Sequence, residues 1–184
     1  MSGPVGGGFA ARQLTTQELS ERLPNVGIGY LLALATLVGE VVAVARNPGL
    51  AQAANAVPPL EIYLPSYLGL VYWLVCVHRY HTLLKNVPGW NHPISPARSV
   101  GFHFIPVYFL YWIFRWPAAI ADFVNFRLQA PAMKKWTVGV LILASLLSPY
   151  FLDRALGVAI MFFSCTYISG FMRRAFAHPA PLPG

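Results

Sequence analysis

The sequence is short of charge and of cysteine. Only 10% of the 184 residues are Asp, Glu, Lys or Arg, whereas a soluble domain carries charge on roughly a quarter of its residues. The two cysteines, Cys76 and Cys165, lie in apolar runs, which excludes a disulfide-stapled secreted scaffold. Hydrophobic residues make up 57% of the chain, which excludes a disordered protein. A lipid-facing surface explains the missing charge, so the composition predicts an all-α integral membrane protein.

Motifs for several kinds of chemistry are missing as well. The chain has no Gly-rich phosphate loop, no nucleophile elbow, no His-Glu-x-x-His helix and no Cys-x-x-Cys-His haem attachment. A net charge of +7 could indicate nucleic-acid binding, but the basic residues stand beside apolar runs, where anionic lipid already favours them. The sequence therefore predicts neither an enzyme nor a nucleic-acid-binding protein.

Four apolar runs approach the length of a membrane-spanning helix, about 20 residues. They are Val26–Ala45, Leu60–Leu84, Trp136–Leu152 and Ala155–Met172. Only two residues separate the last two runs, so they predict an antiparallel helical hairpin. The uncharged segment 47–59, with prolines at both ends, predicts an external loop.

A fifth apolar segment, residues 99–126, is less regular. Eight of the fifteen residues from Phe102 to Trp116 are aromatic, Arg115 stands among them, and Pro106 and Pro117 interrupt the segment. If it crosses the membrane, five spans result, and the Lys and Arg residues divide six against seven between the two sides. If it is re-entrant or interfacial, four spans result, and eleven basic residues share the side of both termini.

The positive-inside rule favours the second arrangement, because only Arg46 and Arg154 then lie on the opposite side. The predicted fold is a bundle of four transmembrane helices with an aromatic-rich re-entrant or interfacial helix, and five transmembrane helices are the alternative. Both termini are then cytoplasmic.

The predicted organisation is one membrane domain between two polar tails. Residues 1–24 form a flexible cytoplasmic tail, in which the capping-box pattern from Thr15 to Glu18 predicts a short interfacial helix. Residues 25–174 form the transmembrane domain, and the Pro-rich residues 175–184 form a disordered tail.

Ile94-Ser95-Pro96, followed by Gly101-Phe102-His103-Phe104-Ile105-Pro106 and Tyr111-Trp112-Ile113-Phe114, resembles a motif of small multi-pass bacterial membrane proteins of unknown function. The likeness covers about residues 78–126, where a basic amphipathic stretch precedes the motif. The resemblance implies a bacterial inner or intracellular membrane protein without assigned chemistry.

Glu40 is an acidic residue well inside the first predicted span. A carboxylate there costs several kcal/mol unless it is neutral, paired or in contact with water. A stripe of small residues on the same run predicts close helix packing beside it: Gly29, Ala33, Thr36, Gly39 and Ala43. Glu40 could be a proton or cation site, a partner of Arg115, or a protonated carboxyl hydrogen-bonded between helices.

His78 and His81 are three residues apart, so on a helix they share a face and could hold one metal ion. With His103 they could form a three-His metal site or supply axial ligands to a haem. The alternative is that they lie among basic residues in the lipid headgroup zone. No role is assigned to the other two histidines, His92 and His178.

The aromatic residues from Phe102 to Trp116 could line a pocket for a lipid, a quinone or a pigment, with Trp112 and Trp116 as its wall. Arg115 could then bind a phosphate group. The alternative is an interfacial aromatic belt.

Three functions are compatible with these features. The preferred one is a structural or accessory subunit that binds a membrane-protein partner or a second copy of itself as well as lipid. The alternatives are a binder of a cofactor, pigment or lipid through His78, His81 and His103, and a small transporter or channel that uses Glu40.

Overall fold

The computed structural model describes residues 15–51 and 59–179, in which all regular structure is helical, as predicted. The α-helices are α1 (Thr16–Glu21), α2 (Val26–Arg46), α3 (Leu60–Lys85), α4 (Pro96–Gly101), α5 (Tyr108–Leu128), α6 (Thr137–Phe151) and α7 (Arg154–Ala177). Short 3-10 turns follow α2 at Pro48–Ala51 and α4 at Phe102–Phe104.

Three helical segments of the described chain are long and apolar enough to cross a membrane, and they indicate a membrane protein. They are Thr16–Arg46, Leu60–Lys85 and Arg154–Ala177. The helix α6 is apolar but shorter. Both α2 and α3 begin at the residues at which the sequence places their spans.

Side chains in the preceding turns fix where the helices begin. The Thr15 hydroxyl accepts a hydrogen bond from the Glu18 N–H, and the Glu18 carboxylate accepts one from the Thr15 N–H, so the predicted capping box is confirmed. Asn25 caps α2, and Asp153 caps α7 in the tight turn after α6. These acceptors satisfy backbone N–H groups that a helix leaves unpaired at its start.

The predicted small-residue stripe of α2 is confirmed, because its five members are the buried residues of that helix. A Cβ atom at Gly39 would overlap the carbonyl oxygen of Glu61 on α3, and one at Gly29 would overlap the Phe162 ring on α7. Without side chains at these positions, α2 approaches α3 and α7 closely. The Arg46–Glu61 ion pair, at 2.9 Å, joins the ends of α2 and α3.

The helix α3 extends well past the start of α2. The Tyr72 hydroxyl donates to the carbonyl oxygen of Asn25 at 2.8 Å, so Tyr72 is level with the first turn of α2. The remaining 13 residues of α3, to Lys85, cover roughly 20 Å more. At this level Arg79 Nε donates to the carbonyl oxygen of Arg22, which follows α1.

These contacts divide the molecule into two regions. The packed end consists of α1, Tyr72–Lys85, the loop 86–95, α4, α5 and Phe162–Ala177, and it holds most of the buried large side chains. The open end consists of α2, Leu60–Val71, α6 and Arg154–Met161, and its apolar side chains are mostly exposed.

The helix α7 continues three residues into the segment 175–184, which the sequence assigns to a disordered tail. Arg127 Nε donates to the Ala175 carbonyl oxygen at 3.2 Å, and the Phe176 ring packs on that of Phe123, which extends the helix. Residues 1–14, most of the predicted loop 47–59 and residues 180–184 lie outside the described parts of the chain.

Candidate functional site

Four aromatic rings from three parts of the chain meet inside the packed end. Trp73 and His81 lie on α3, His103 lies in the 3-10 turn after α4, and Trp116 lies on α5. The Trp116 ring centroid is 5.8 Å from that of His81 and 6.2 Å from those of Trp73 and His103. Trp73 and His103 meet edge to face at 5.1 Å. We call these four residues the His–Trp cluster.

Local structure explains how the cluster assembles. Trp73 and His81 are eight residues apart, so they project from neighbouring parts of one face of α3. The Trp112 indole N–H donates to the carbonyl oxygen of Ser99 at 3.1 Å, which ties α5 to α4. This bond brings Trp116, one helical turn after Trp112, towards His103 at the end of the same connection.

Each ring of the cluster carries a buried nitrogen that lacks a hydrogen-bond partner among the described residues. Within residues 15–51 and 59–179, five buried side-chain atoms are in this state, and four of them belong to the cluster: Trp73 Nε1, His81 Nε2, His103 Nε2 and Trp116 Nε1. By contrast, the buried Tyr80 hydroxyl bonds to the Cys165 carbonyl oxygen and the Ser169 hydroxyl. Most buried polar groups in proteins are paired, so the cluster is unusual within this core.

A hydrogen-bonded chain assigns the proton positions on His81. The Trp90 indole can only donate, so His92 Nδ1 accepts its N–H at 3.5 Å. In neutral His92 the proton is then on Nε2, which donates to His81 Nδ1 at 2.6 Å. Neutral His81 therefore carries its own proton on Nε2 and presents an unpaired N–H donor to the cluster.

His103 has the opposite polarity. Its Nδ1 lies 3.3 Å from the Val100 carbonyl oxygen, which can only accept, so Nδ1 carries the proton. His103 Nε2 is then an unpaired acceptor. The cluster thus offers three N–H donors, from the two indoles and His81, and one imidazole acceptor.

Burial keeps the histidines outside the transmembrane helices neutral. It lowers the pKa of His92 to about 4, and the nearby Lys85 charge acts in the same direction. Burial also lowers the pKa of His103 to about 4, against the smaller opposing effect of its bonds to the backbone of Val100 and Ser99. Both rings are therefore uncharged at neutral pH, as the proton assignment requires.

The structure brings together two of the three predicted histidines. His81 and His103 both contact Trp116, but His78 is exposed and lies 3.5 Å from the Thr82 hydroxyl. Three residues along a helix leave an angle of about 60° between side chains, which is enough to turn His78 to the surface. Among the described residues, no group of three or more His, Cys, Asp or Glu side chains could hold a metal ion.

His92 is the site residue that the sequence did not reveal. It is 5% exposed and reaches His81 because the loop 86–95 folds back along α3. No spacing rule connects a loop histidine to a helix eleven residues earlier. The neighbouring Trp90, an aromatic residue in a Pro- and Gly-containing loop, is the one local sign of burial.

The three predicted ligand-binding residues of α5 have different surroundings. Trp116 is fully buried in the cluster. Trp112 packs edge to face on Phe102 at 4.8 Å and is paired through its N–H, so its contacts position α5. Arg115 is exposed. The structure therefore does not join Trp112, Arg115 and Trp116 into one pocket.

Glu40 lies at the open end. Its carboxyl group is beside the Asp153 side chain and the Arg154 backbone in the turn between α6 and α7, and Oε2 is buried without a partner among the described residues. Its neighbours therefore differ from the predicted partner Arg115, which lies on α5.

Comparison with models of protein families, with curated proteins and with solved structures finds no match for this chain. The geometry of the His–Trp cluster is therefore the basis for a functional assignment.

Proposed function

We propose that this chain is a multi-pass membrane protein that binds a small ligand in the His–Trp cluster, without a catalytic step of its own. The observation that carries the proposal is the set of four buried, unpaired ring nitrogens. An unpaired buried polar group costs about 1–3 kcal/mol, so a fold that keeps four together gains from a bound group that pairs them.

The polarity of the cluster favours a particular class of ligand. Three N–H donors suit a carbonyl or hydroxyl oxygen, and His103 Nε2 suits a hydroxyl proton. A quinol head group matches both, because each of its hydroxyl groups can accept from an N–H and donate to His103 Nε2, and quinols partition into membranes. A metal ion suits the site less well, because His81 Nε2 carries a proton. A haem suits the site less well for the same reason, because only His103 Nε2 is free to act as an axial ligand.

Native mass spectrometry and titration with a short-chain benzoquinol test this proposal on the full chain in mild detergent. We expect the wild type to bind the quinol, and His81→Gln and His103→Gln to bind it at least tenfold more weakly. His78→Gln is the matched control, because His78 is exposed on the same helix. Absence of binding by the wild type, as expected if the cluster holds only water, would contradict the proposal, as would equal loss in the control.

We also propose that α2, α3, α6 and α7 cross the membrane and that residues 99–126 form a re-entrant or interfacial element. The contacts of α5 favour this topology, since its last turn bonds to the end of α7 and the loop before α4 bonds to α3. Nine basic residues then lie with α5 on the cytoplasmic side: Arg22, Arg79, Lys85, Arg98, Arg127, Lys134, Lys135, Arg173 and Arg174.

Cysteine labelling tests the topology. A membrane-impermeant reagent should reach Lys85→Cys and Arg127→Cys from the same side and Arg46→Cys from the other. The native Cys76 and Cys165 are buried and give little background. Labelling of the first two positions from opposite sides would instead establish five spans.

The accessory-subunit role is the second candidate. Its supporting observation is the apolar outer face of α2, where Leu31 is 66% exposed and Val41 is 62% exposed. A partner or a second copy could cover this face, as lipid could. Cross-linking at Leu31→Cys in native membranes should give a discrete adduct if a protein covers the face, and a monomer if lipid does.

Transport through Glu40 is a weaker proposal, which rests on its unpaired carboxylate oxygen beside Asp153. It requires that Glu40→Gln abolish a pH-dependent flux in liposomes. Asp122→Asn, a change at a carboxylate paired with Lys135 in the packed end, is the control.

A further inference from the structure

We propose that a groove at the open end binds one phospholipid with an anionic head group. The groove has a volume of about 660 Å³ and lies between α3, α6 and α7. It is separate from the His–Trp cluster and shares no residue with it. The inference is therefore independent of the proposed ligand site.

The lining of the groove changes along its length. Tyr63, Tyr150 and Arg154 line one end, because α3 and α7 begin and α6 ends there. One to two turns further into the bundle, Leu70, Leu146 and Met161 line the groove, beside the small side chains of Ser66 and Ser145. Tyrosine and arginine favour the headgroup level, and aliphatic side chains favour acyl chains. The groove therefore has the polarity of a phospholipid.

The groove is open towards the surrounding membrane. Leu70 is 41% exposed and Leu146 is 36% exposed, and they stand on α3 and α6, the two sides of the groove. An acyl chain can enter between them from the bilayer. The lipid itself is thus the available occupant, and no second protein is needed to fill the space.

Arg154 supplies the charge preference. It forms no ion pair with any described residue, although two acidic groups are near it. The Asp153 carboxylate caps α7 by accepting from the Leu156 N–H, and Glu40 lies near both the backbone and the charge of Arg154 without forming an ion pair with it. The guanidinium group is therefore available to pair with phosphate oxygens. Arg46, at the same end, is already paired with Glu61 at 2.9 Å.

The test is native mass spectrometry of the full chain released from nanodiscs of equal parts phosphatidylcholine and phosphatidylglycerol. We expect the wild type to retain one phosphatidylglycerol preferentially. Arg154→Gln should lower that retention about fivefold and leave phosphatidylcholine unaffected. Arg46→Gln, the matched control, should behave as the wild type.

Leu70→Trp provides a second variant that leaves the charges unchanged and fills the groove from its exposed edge. It should lower retention of both lipids, whereas Leu31→Trp, on the outer face of α2, should not. Equal retention of both lipids by the wild type, equal loss in the Arg46 and Arg154 variants, or no retained lipid would overturn the proposal.

Discussion

The two ends of this helical bundle differ in where their large side chains lie. At the packed end, large side chains fill the interior, and Trp73, Tyr80 and Trp116 are at most 2% exposed, although Leu110 and Tyr111 near the start of α5 face outwards. At the open end, large side chains point outwards, with Leu31 at 66% and Leu64 at 48%, while glycine and alanine occupy the contacts between helices. One chain therefore combines a core like that of a soluble protein with a surface suited to lipid.

Under the proposed topology, the surroundings of each end explain the difference. Burying apolar side chains stabilises a protein only where the alternative is water. Within a bilayer, helices gain little from burying leucine and instead gain from close backbone approach at small residues. With that topology we expect the packed end, where α3 and α7 extend past the start of α2, to have the first kind of stability, and the open end to have the second.

Truncation of a large side chain should separate the two ends most clearly. Trp116→Ala removes a fully buried ring from the packed end and should lower the free energy of unfolding by about 3–5 kcal/mol. Leu31→Ala removes an exposed side chain and should change it by no more than about 0.5 kcal/mol. Thermal and denaturant unfolding in detergent measure both, and equal losses would show that the packed end has no core of its own.

Acid should weaken the packed end through its neutral histidines. The folded-state pKa values of His92 and His103 are about 4, below the usual 6.5. The unfolded chain therefore binds protons first, and stability is greatest above pH 6.5, falls between pH 6.5 and 4, and levels off below 4. Each ring contributes on the order of 2–3 kcal/mol to this loss.

Single substitutions test the acid effect, and the measurement is the melting temperature of each variant as a function of pH. His92→Gln should remove about half of the pH dependence. His78→Gln is the matched control, because it makes the same change at an exposed position of α3. A flat profile in the wild type would mean that the two buried rings titrate normally.

Adding one methyl group should test the close contacts of the open end. Gly39→Ala places a Cβ against the carbonyl oxygen of Glu61, which is backbone and cannot move alone, and should cost about 1–3 kcal/mol. Gly170→Ala, on α7 at the packed end, meets no atom within 4 Å and should be neutral or stabilising by about 0.5–1 kcal/mol. Similar melting temperatures for the two variants would contradict the packing described for α2.

Sequence reasoning predicted the open end more completely than the packed end. The starts of α2 and α3 and the buried stripe from Gly29 to Ala43 all follow from local patterns, as does the Thr15–Glu18 capping box at the packed end. Hydropathy, residue size and capping act over one helical turn or one helix, so a sequence displays them directly.

The candidate site was only partly predictable, because its contacts join parts of the chain that local patterns do not connect. His81 and His103 were identified by residue type, but the contact of His92 with His81 depends on how the loop 86–95 folds back. The difference between Trp112 and Trp116 depends on which indole reaches the Ser99 carbonyl oxygen. Such contacts are tertiary, and no helical or strand periodicity encodes them.

The smallest effect is expected where the two ends meet, at the turn before α5. Val107 has φ 65° and ψ −50°, and the Tyr108 N–H bonds to the Pro106 carbonyl oxygen at 2.7 Å, which makes a γ-turn. This conformation is strained for a β-branched residue. Val107 is also 85% exposed, so its side chain contributes little packing that offsets the strain.

Val107→Gly should therefore stabilise the protein by about 0.5–1 kcal/mol, because relief of strain exceeds the added entropy of the unfolded chain. Val44→Gly, at an exposed helical position of α2, should instead lose about 1 kcal/mol. Melting temperatures of the two variants, measured in one detergent, test whether the turn is strained. If both melting temperatures fall alike, the turn is unstrained. A rise for Val107→Gly with a fall for Val44→Gly would show that the turn is strained. That strain would then accompany the chain reversal that places α5, and with it Trp116, against α3.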